Sequence, residues 1–160
     1  LLKQCVWITD INKRGKVPLS LPSSDLLRKL LRARHSPIRV LNFAFRIDAI
    51  PSNIATHLCR HVHAQPFVSS LRNDRQDIMD GDEAPRNTPV DMIYYVNAEE
   101  LMTIANKRLC MKASAKTREV VQMMCDAVLK EMPEFDGLLE PQCVRNGGRC
   151  DEIEPCGRWG

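Results

Sequence analysis

The side chains best suited to chemistry lie in one run, His57-Leu-Cys-Arg-His-Val-His-Ala-Gln-Pro-Phe-Val-Ser-Ser-Leu-Arg-Asn-Asp-Arg75. Three of the four histidines, His57, His61 and His63, fall there, together with Arg60, Arg72 and Arg75. On a helix, His57, Arg60 and His61 stand three and four residues apart and share one face. That face offers N–H donors and positive charge and carries no carboxylate. Past Pro66, Ser69, Ser70 and Arg72 add hydroxyls and a planar fork of donors, the groups that grip a phosphate. A plain helix and loop exposing a polar face is the alternative. The density of donors favours an anion site.

A second set of reactive groups is sulfur. The chain has seven cysteines, at positions 5, 59, 110, 125, 143, 150 and 156. The odd number and the lack of a visible secretory signal argue against a disulfide framework and for reduced thiols or a metal site. Cys143, Cys150 and Cys156 lie in a glycine-containing tail with little apolar material. Their spacings, six and five intervening residues, are looser than those of common zinc knuckles. With Cys110 as a fourth ligand they make a candidate structural metal site, for zinc before an iron–sulfur cluster. Four reduced thiols, or a disulfide formed on handling, is the competing reading. Cys125 falls in an apolar helical stripe and reads as core.

The elements that must position these groups follow from periodicity. Ser23, Ser24 and Asp25 are expected to cap a helix with Leu26, Leu27, Leu30 and Leu31 on one side, stopped by Pro37. Residues 38–49 alternate with period two, Leu41, Phe43, Phe45 and Ile47 against Asn42, Ala44, Arg46 and Asp48, which predicts a half-buried strand. A helix over 54–63 follows, with Pro51 in its first turn, Ser52 or Asn53 near its cap, and Pro66 ending the segment. Residues 73–89 are polar, with Asp80-Gly81, Pro85 and Pro89, and read as a long loop. Residues 91–96 form an aromatic-rich strand. Asn97 and Glu100 then make a capping-box pattern for a helix carrying Leu101, Ile104, Ala105 and Arg108. A last helix is expected from about Ser114 to Met132, striped by Val121, Met124, Cys125 and Val128 and followed by Pro133. Residues 1–22 are poorly patterned, the cluster Lys13-Arg14-Gly15-Lys16 reading as a solvated loop, and residues 137–160 are irregular.

Composition bounds the class. A chain of 160 residues with 44% apolar content can bury a core, and residues 1–160 read as a single domain. The formal charge of +3 demands no nucleic-acid partner, and its local clustering suits a small anion. No apolar run is long enough to cross a bilayer, so no membrane partner is expected, and a cytoplasmic site, in a bacterial host or a phage-infected cell, fits. The chain opens on Leu1 rather than methionine, so its true start is expected upstream.

Arg60-His61 followed by Ser70-x-Arg72 resembles the signature of the flavin-dependent thymidylate synthases, Arg-His-Arg-x-x-Ser-x-Asn-Glu-x-Ser-x-Arg-Tyr, and the spacing matches without a gap. Asn97-Ala98, Arg108 and Ala113 resemble a second block of that family, and His35-Ser36-Pro37 with the strand to Phe45 a third. The likeness spans roughly residues 25–132 and is closest to divergent, phage-type members. Val62 stands where the signature has Arg, Gln65 where it has Ser, Phe67 and Val68 where it has Asn and Glu, and Asn73 where it has Tyr. The resemblance implies an α+β fold, an antiparallel sheet flanked by helices, assembled as a homotetramer. It implies methylation of dUMP to dTMP, with FAD as cofactor and methylenetetrahydrofolate and NADPH as co-substrates. By position, Arg60, Ser70 and Arg72 would hold the nucleotide monophosphate with His57 and Arg86, Arg60 and Arg108 would act on the pyrimidine ring, and His61, His63 and Asn97 would face the flavin. One-carbon transfer to another pyrimidine monophosphate, such as hydroxymethylation, and non-catalytic nucleotide binding are the alternatives.

Overall fold

The structure is a computed structural model that describes residues 1–9, 11–13 and 20–159. Arg14, Gly15 and Lys16 of the expected basic loop lie outside the described residues. The chain is mixed α and β and divides into two compact units. One is continuous, Phe43–Val96, and the other joins Leu1–Asn42 to Asn97–Gly160.

The continuous unit is built on a three-stranded sheet of β1 (Asn42–Pro51), β2 (Ala64–Val68) and β3 (Pro89–Asn97), in the order β1-β3-β2. Period-two patterning shows in its burial: Val90, Met92, Tyr94 and Val96 of β3 are buried, while Asp91, Ile93 and Tyr95 are exposed. Strand β2 runs antiparallel to β3, with Pro66 opposite Tyr94 and Phe67 opposite Ile93. Sequence reasoning took Pro66 for a helix stop and missed this strand. Because β2 pairs on one side only, Pro66 deprives the sheet of no central hydrogen bond.

Strand β1 starts four residues later than expected, since residues 36–40 form a short 3₁₀ turn with Pro37 near its start. Its alternation holds from Asn42 to Asp48 and breaks at Ala49, which has φ +52°. A non-glycine residue in the left-handed region is uncommon and costs about 1 kcal/mol. The Ala49 N–H is met by Asp91 Oδ1 at 2.9 Å. Past this break the strand passes into α3 (Ser52–Cys59) with no loop between them. Helix α3 packs against β2 and buries Ile54, Ala55 and Leu58.

The second unit is mainly helical: α1 (Leu2–Ile8), α2 (Ser24–Arg32), α4 (Ala98–Arg108), α5 (Ala115–Glu131) and the short α6 (Gln142–Arg145). Helix α1 lies in a stretch that showed no pattern to sequence reasoning. Three helix starts behave as their capping residues dictate. Ser23 Oγ accepts from the Leu26 N–H at 3.3 Å, Asn97 Oδ1 from Glu100 at 3.0 Å, and Ser114 Oγ from Thr117 at 3.2 Å. Helix α4 packs on α5 and α6, and Leu31, Ile38, Leu101, Met102, Ile104, Val121, Cys125 and Phe135 are fully buried. Burial pushes the Cys125 thiol up to about 12, with the Asp126 charge adding to the shift, as its place in the apolar stripe of α5 requires. Among the described residues no helix is long and apolar enough to cross a membrane.

Candidate functional site

The expected helix over 54–63 is shorter and shifted. Helix α3 ends at Cys59, Arg60 occupies its C-cap position with φ −74° and ψ −9°, and His61 and His63 lie past it in the turn to β2. His61 therefore does not continue the face of His57 and Arg60. What does share that face is Asn53, Thr56, His57 and Arg60, spaced three, one and three apart. This polar stripe is visible in the sequence, and the expected histidine face obscured it.

Both ends of α3 are fixed by neighbours. At its start the Ser52 N–H donates to Thr88 O and the Asn53 N–H to Arg86 O, both at 2.9 Å. Ser52 Oγ adds a 2.8 Å bond to the same Arg86 carbonyl. These bonds satisfy two of the helix's orphan donors and clamp residue 86 beside its first turn. At the other end the buried Tyr94 hydroxyl donates to Leu58 O at 3.1 Å, so β3 holds the turn from which Arg60 projects.

Ser52, Asn53, Thr56, His57, Arg60 and Arg86 line a single cleft of about 400 Å³, a volume ordinary for small-molecule sites. Arg60 and Arg86 are exposed, and neither guanidinium is paired with a carboxylate among the described residues. His57 is half-buried, and the buried Asn53 Oδ1 has no hydrogen-bond partner. Among the described residues the cleft thus presents two guanidiniums without carboxylate partners and one unpartnered acceptor. An anion would satisfy the two guanidiniums, while both hydroxyl protons are already given, from Ser52 Oγ to Arg86 O and from Thr56 Oγ1 to Ser52 O.

The structure places Ser70 and Arg72 elsewhere. They line a wider recess of about 650 Å³ with Asn73, Asp74 and Asp82, on the segment that follows β2. Arg72 is engaged there: Nε meets Asp74 Oδ1 and Nη2 meets Asp74 Oδ2, each at 2.8 Å. The neighbouring turn is tightly tied. Asn73 Oδ1 accepts from the Gly81 N–H at 2.6 Å, and Asn73 Nδ2 donates to Asp80 at 3.1 Å. That bond and the Asp82 N–H hold the Asp80 carboxyl below its usual range. A Cβ on Gly81 would lie 1.9 Å from Leu71 O, so only glycine fits the turn. With two carboxylates in its lining, this recess is electrostatically less suited to an anion than the α3 cleft.

The remaining expected positions are dispersed. Arg108 is half-buried at the end of α4, in the helical unit. Asn97 belongs to that unit as well, and its side-chain oxygen is engaged in capping α4. His61 is half-buried and His63 exposed, both in the sheet unit. Phe67 is 63% and Ile93 43% exposed, and as cross-strand neighbours they make this part of the β2–β3 surface apolar. The four expected metal ligands, Cys110, Cys143, Cys150 and Cys156, line one small recess of the helical unit. Among the described residues, however, no three His, Cys, Asp or Glu side chains already stand in an ion-holding arrangement.

Among solved structures, those with this architecture include flavin-dependent thymidylate synthases, and the fold is of that class. The structures it resembles include two of ThyX from Helicobacter pylori, each with FAD and dUMP. In one, 90% of this chain and 93% of the other superpose with a TM-score of 0.68, and in the second 73% and 83% superpose with 0.63, each at 16% identity. No protein-family model and no curated protein matches the chain.

Proposed function

We propose that the protein is a divergent enzyme of the flavin-dependent thymidylate synthase kind that binds a pyrimidine deoxynucleotide monophosphate and methylates it at C5, dUMP being the substrate of choice. The observation that carries this reading is the α3 cleft, where Arg60 and Arg86 face a space without carboxylates beside His57 and Asn53. The resembling ThyX structures hold dUMP and FAD, ligands of the size and charge that such a cleft would take in part. In this reading the two guanidiniums grip the phosphate or a ring carbonyl, and the Asn53 acceptor takes a ligand N–H or O–H. Adding one carbon at C5 pushes negative charge onto the ring carbonyls, and Arg60, fixed at the end of α3, is suited to stabilise it. For Arg108 the same role is carried by the sequence resemblance alone, as is homotetramer assembly.

A bound, reduced flavin would supply the hydride, with methylenetetrahydrofolate the carbon and NADPH the reductant. The donor chemistry of this chain fits a flavin in part. His61 and His63 offer ring nitrogens that can bond flavin carbonyls or phosphates, whereas the oxygen of Asn97 is already taken by α4. The chain's own work is to bind and orient the ligands and to hold positive charge where the ring becomes an anion. Phe67 and Val68, exposed where the signature has Asn and Glu, favour one alternative, a nucleotide-binding protein that has lost flavin turnover. Purified protein settles the choice: a flavin absorption band, calorimetric binding of dUMP, and conversion to dTMP with reduced flavin and methylenetetrahydrofolate are expected. Binding of dUMP without flavin would identify the non-catalytic protein, and no dUMP binding at all would refute both.

A further inference from the structure

The helical unit holds a second concentration of reactive side chains, remote in kind from an anion site. Cys110, just past α4, Cys143 in α6, and Cys150 and Cys156 beyond it line one recess of about 20 Å³. All four are free thiols. A space of that size takes a single water-sized guest and is too small for an iron–sulfur cluster.

Two further features of the recess point to a guest. Asn106, on the last turns of α4, also lines it and is 8% exposed, yet its Oδ1 has no hydrogen-bond partner. A buried amide oxygen without a partner is costly, and natural sites rarely leave one so. The chain from Asn146 to Trp159 also has no regular element and is exposed at most positions. What holds it is surface contact. Gln142, Asn146 and Arg149 donate to the Asp151 carboxylate at 3.1, 2.8 and 3.2 Å. Lys107 reaches Glu152 at 3.5 Å, and Lys112 reaches the Glu154 carbonyl at 2.6 Å. Exposed pairs of this sort contribute little to stability. A segment so poor in apolar contact, with three cysteines turned to one recess, needs a stronger fastening.

We propose that this recess is a structural zinc site, with Cys110, Cys143, Cys150 and Cys156 as its four thiolate ligands and Asn106 as an outer-shell donor. One Zn²⁺ replaces four thiol protons, which pass to solvent, and no electron is transferred. Since the thiols do not yet stand in ligand geometry, binding draws the four Sγ atoms inward, by side-chain rotation and small shifts of the tail, to about 2.3 Å from the ion. Turning the Asn106 amide over presents its N–H to a thiolate in place of the unpartnered oxygen. Four thiolates around one Zn²⁺ leave two net negative charges, and Lys107 and Lys112, already tied to the same segment, supply the compensating field. With no open coordination position the ion is structural rather than catalytic.

The test uses the full chain purified with reductant and without chelator. Elemental analysis is expected to give about one equivalent of zinc per chain, released when the thiols are titrated with a mercurial. Cys150→Ser and Cys156→Ser should each lower the content to below about a tenth of an equivalent, while Cys59→Ser retains it. If the serine variants do not accumulate, exchange of wild-type protein into Co²⁺ decides instead, with intense tetrahedral d–d and thiolate charge-transfer bands expected. Wild-type protein with below about a tenth of an equivalent of zinc and no such cobalt spectrum overturns the proposal. So does a disulfide among these four cysteines in native protein, or iron with acid-labile sulfide in place of zinc. None of these readouts depends on nucleotide or flavin binding.

Discussion

Arg60 and Arg72 offer the same guanidinium to a nucleotide but stand in different electrostatic circumstances, and their alanine variants should differ accordingly. Among the described residues Arg60 has no carboxylate partner, so Arg60→Ala removes a charge-assisted hydrogen bond to the ligand outright. Such a bond is worth about 1.5–3 kcal/mol, a loss of roughly tenfold to a hundredfold in dUMP affinity. Arg72 is tied in a fork to Asp74, with the two side chains 66% and 58% exposed. An exposed pair contributes about 0–1 kcal/mol, which any phosphate must first displace. Because Arg72 is also set in a separate recess, Arg72→Ala and Asp74→Asn should each change dUMP affinity by no more than about fivefold. Calorimetric titration with dUMP at two ionic strengths measures all three, and thermal melts check that these exposed substitutions leave stability within about 0.5 kcal/mol. An Arg72→Ala variant that loses as much affinity as Arg60→Ala, or more, would refute the reasoning and return the phosphate to the Ser70–Arg72 loop.

Tyr94→Phe deletes the bond to Leu58 O and should lower stability by about 1 kcal/mol, a fall of about 2–4 °C in Tm in a scanning melt. Asn97→Ser keeps a capping hydroxyl and Asn97→Ala does not, so only the alanine variant should lose about 1 kcal/mol in urea unfolding. Loss of flavin from the stable serine variant would assign the amide to the cofactor. For Cys125 the folded thiol is raised from 9.0 to about 12, so folding favours the protonated form. Its contribution is complete below the unfolded pKa and fades between about pH 9 and 12. Cys125→Ala should flatten that part of the pH–stability curve, and an unchanged slope would show the thiol to be irrelevant.

What could be read from the sequence was local chemistry. Ser23, Asn97 and Ser114 announce helix starts because the capping oxygen bonds a backbone N–H only three residues away. Strand β3 was legible as an aromatic-rich run, with Tyr94 and Tyr95 between Ile93 and Val96. Strand β2 was not, because Pro66 signals a break unless the strand is known to pair on one side only. The end of α3 carries neither glycine nor proline, so nothing in the sequence marks Cys59 as its last residue. The site suffered the same limits. Arg60 and His57 were legible as a pair, but Arg86 meets them only through backbone bonds to Ser52 and Asn53, which no spacing reveals. Separation of the Ser70–Arg72 recess from the α3 cleft depends on the path of the chain after β2, set by tertiary contacts such as the Gly81 turn on Leu71.

The junction at Ala49 fixes more than a bend. Since strand and helix meet with no slack between them, the angular setting of α3 is inherited from β1 residue by residue, like a key cut in line with its shaft. Each residue of an α-helix turns it by about 100°, so one insertion or deletion between Asp48 and Ser52 would swing the Asn53, Thr56, His57 and Arg60 row away from Arg86, a deletion bringing apolar Ile54 and Leu58 round in its place and an insertion Ala55 and Cys59. Length variation among relatives should therefore be forbidden at this joint and tolerated in the segment after β2. A chain that drifted far in composition could still preserve its binding face, so long as the count of residues across this hinge stayed fixed.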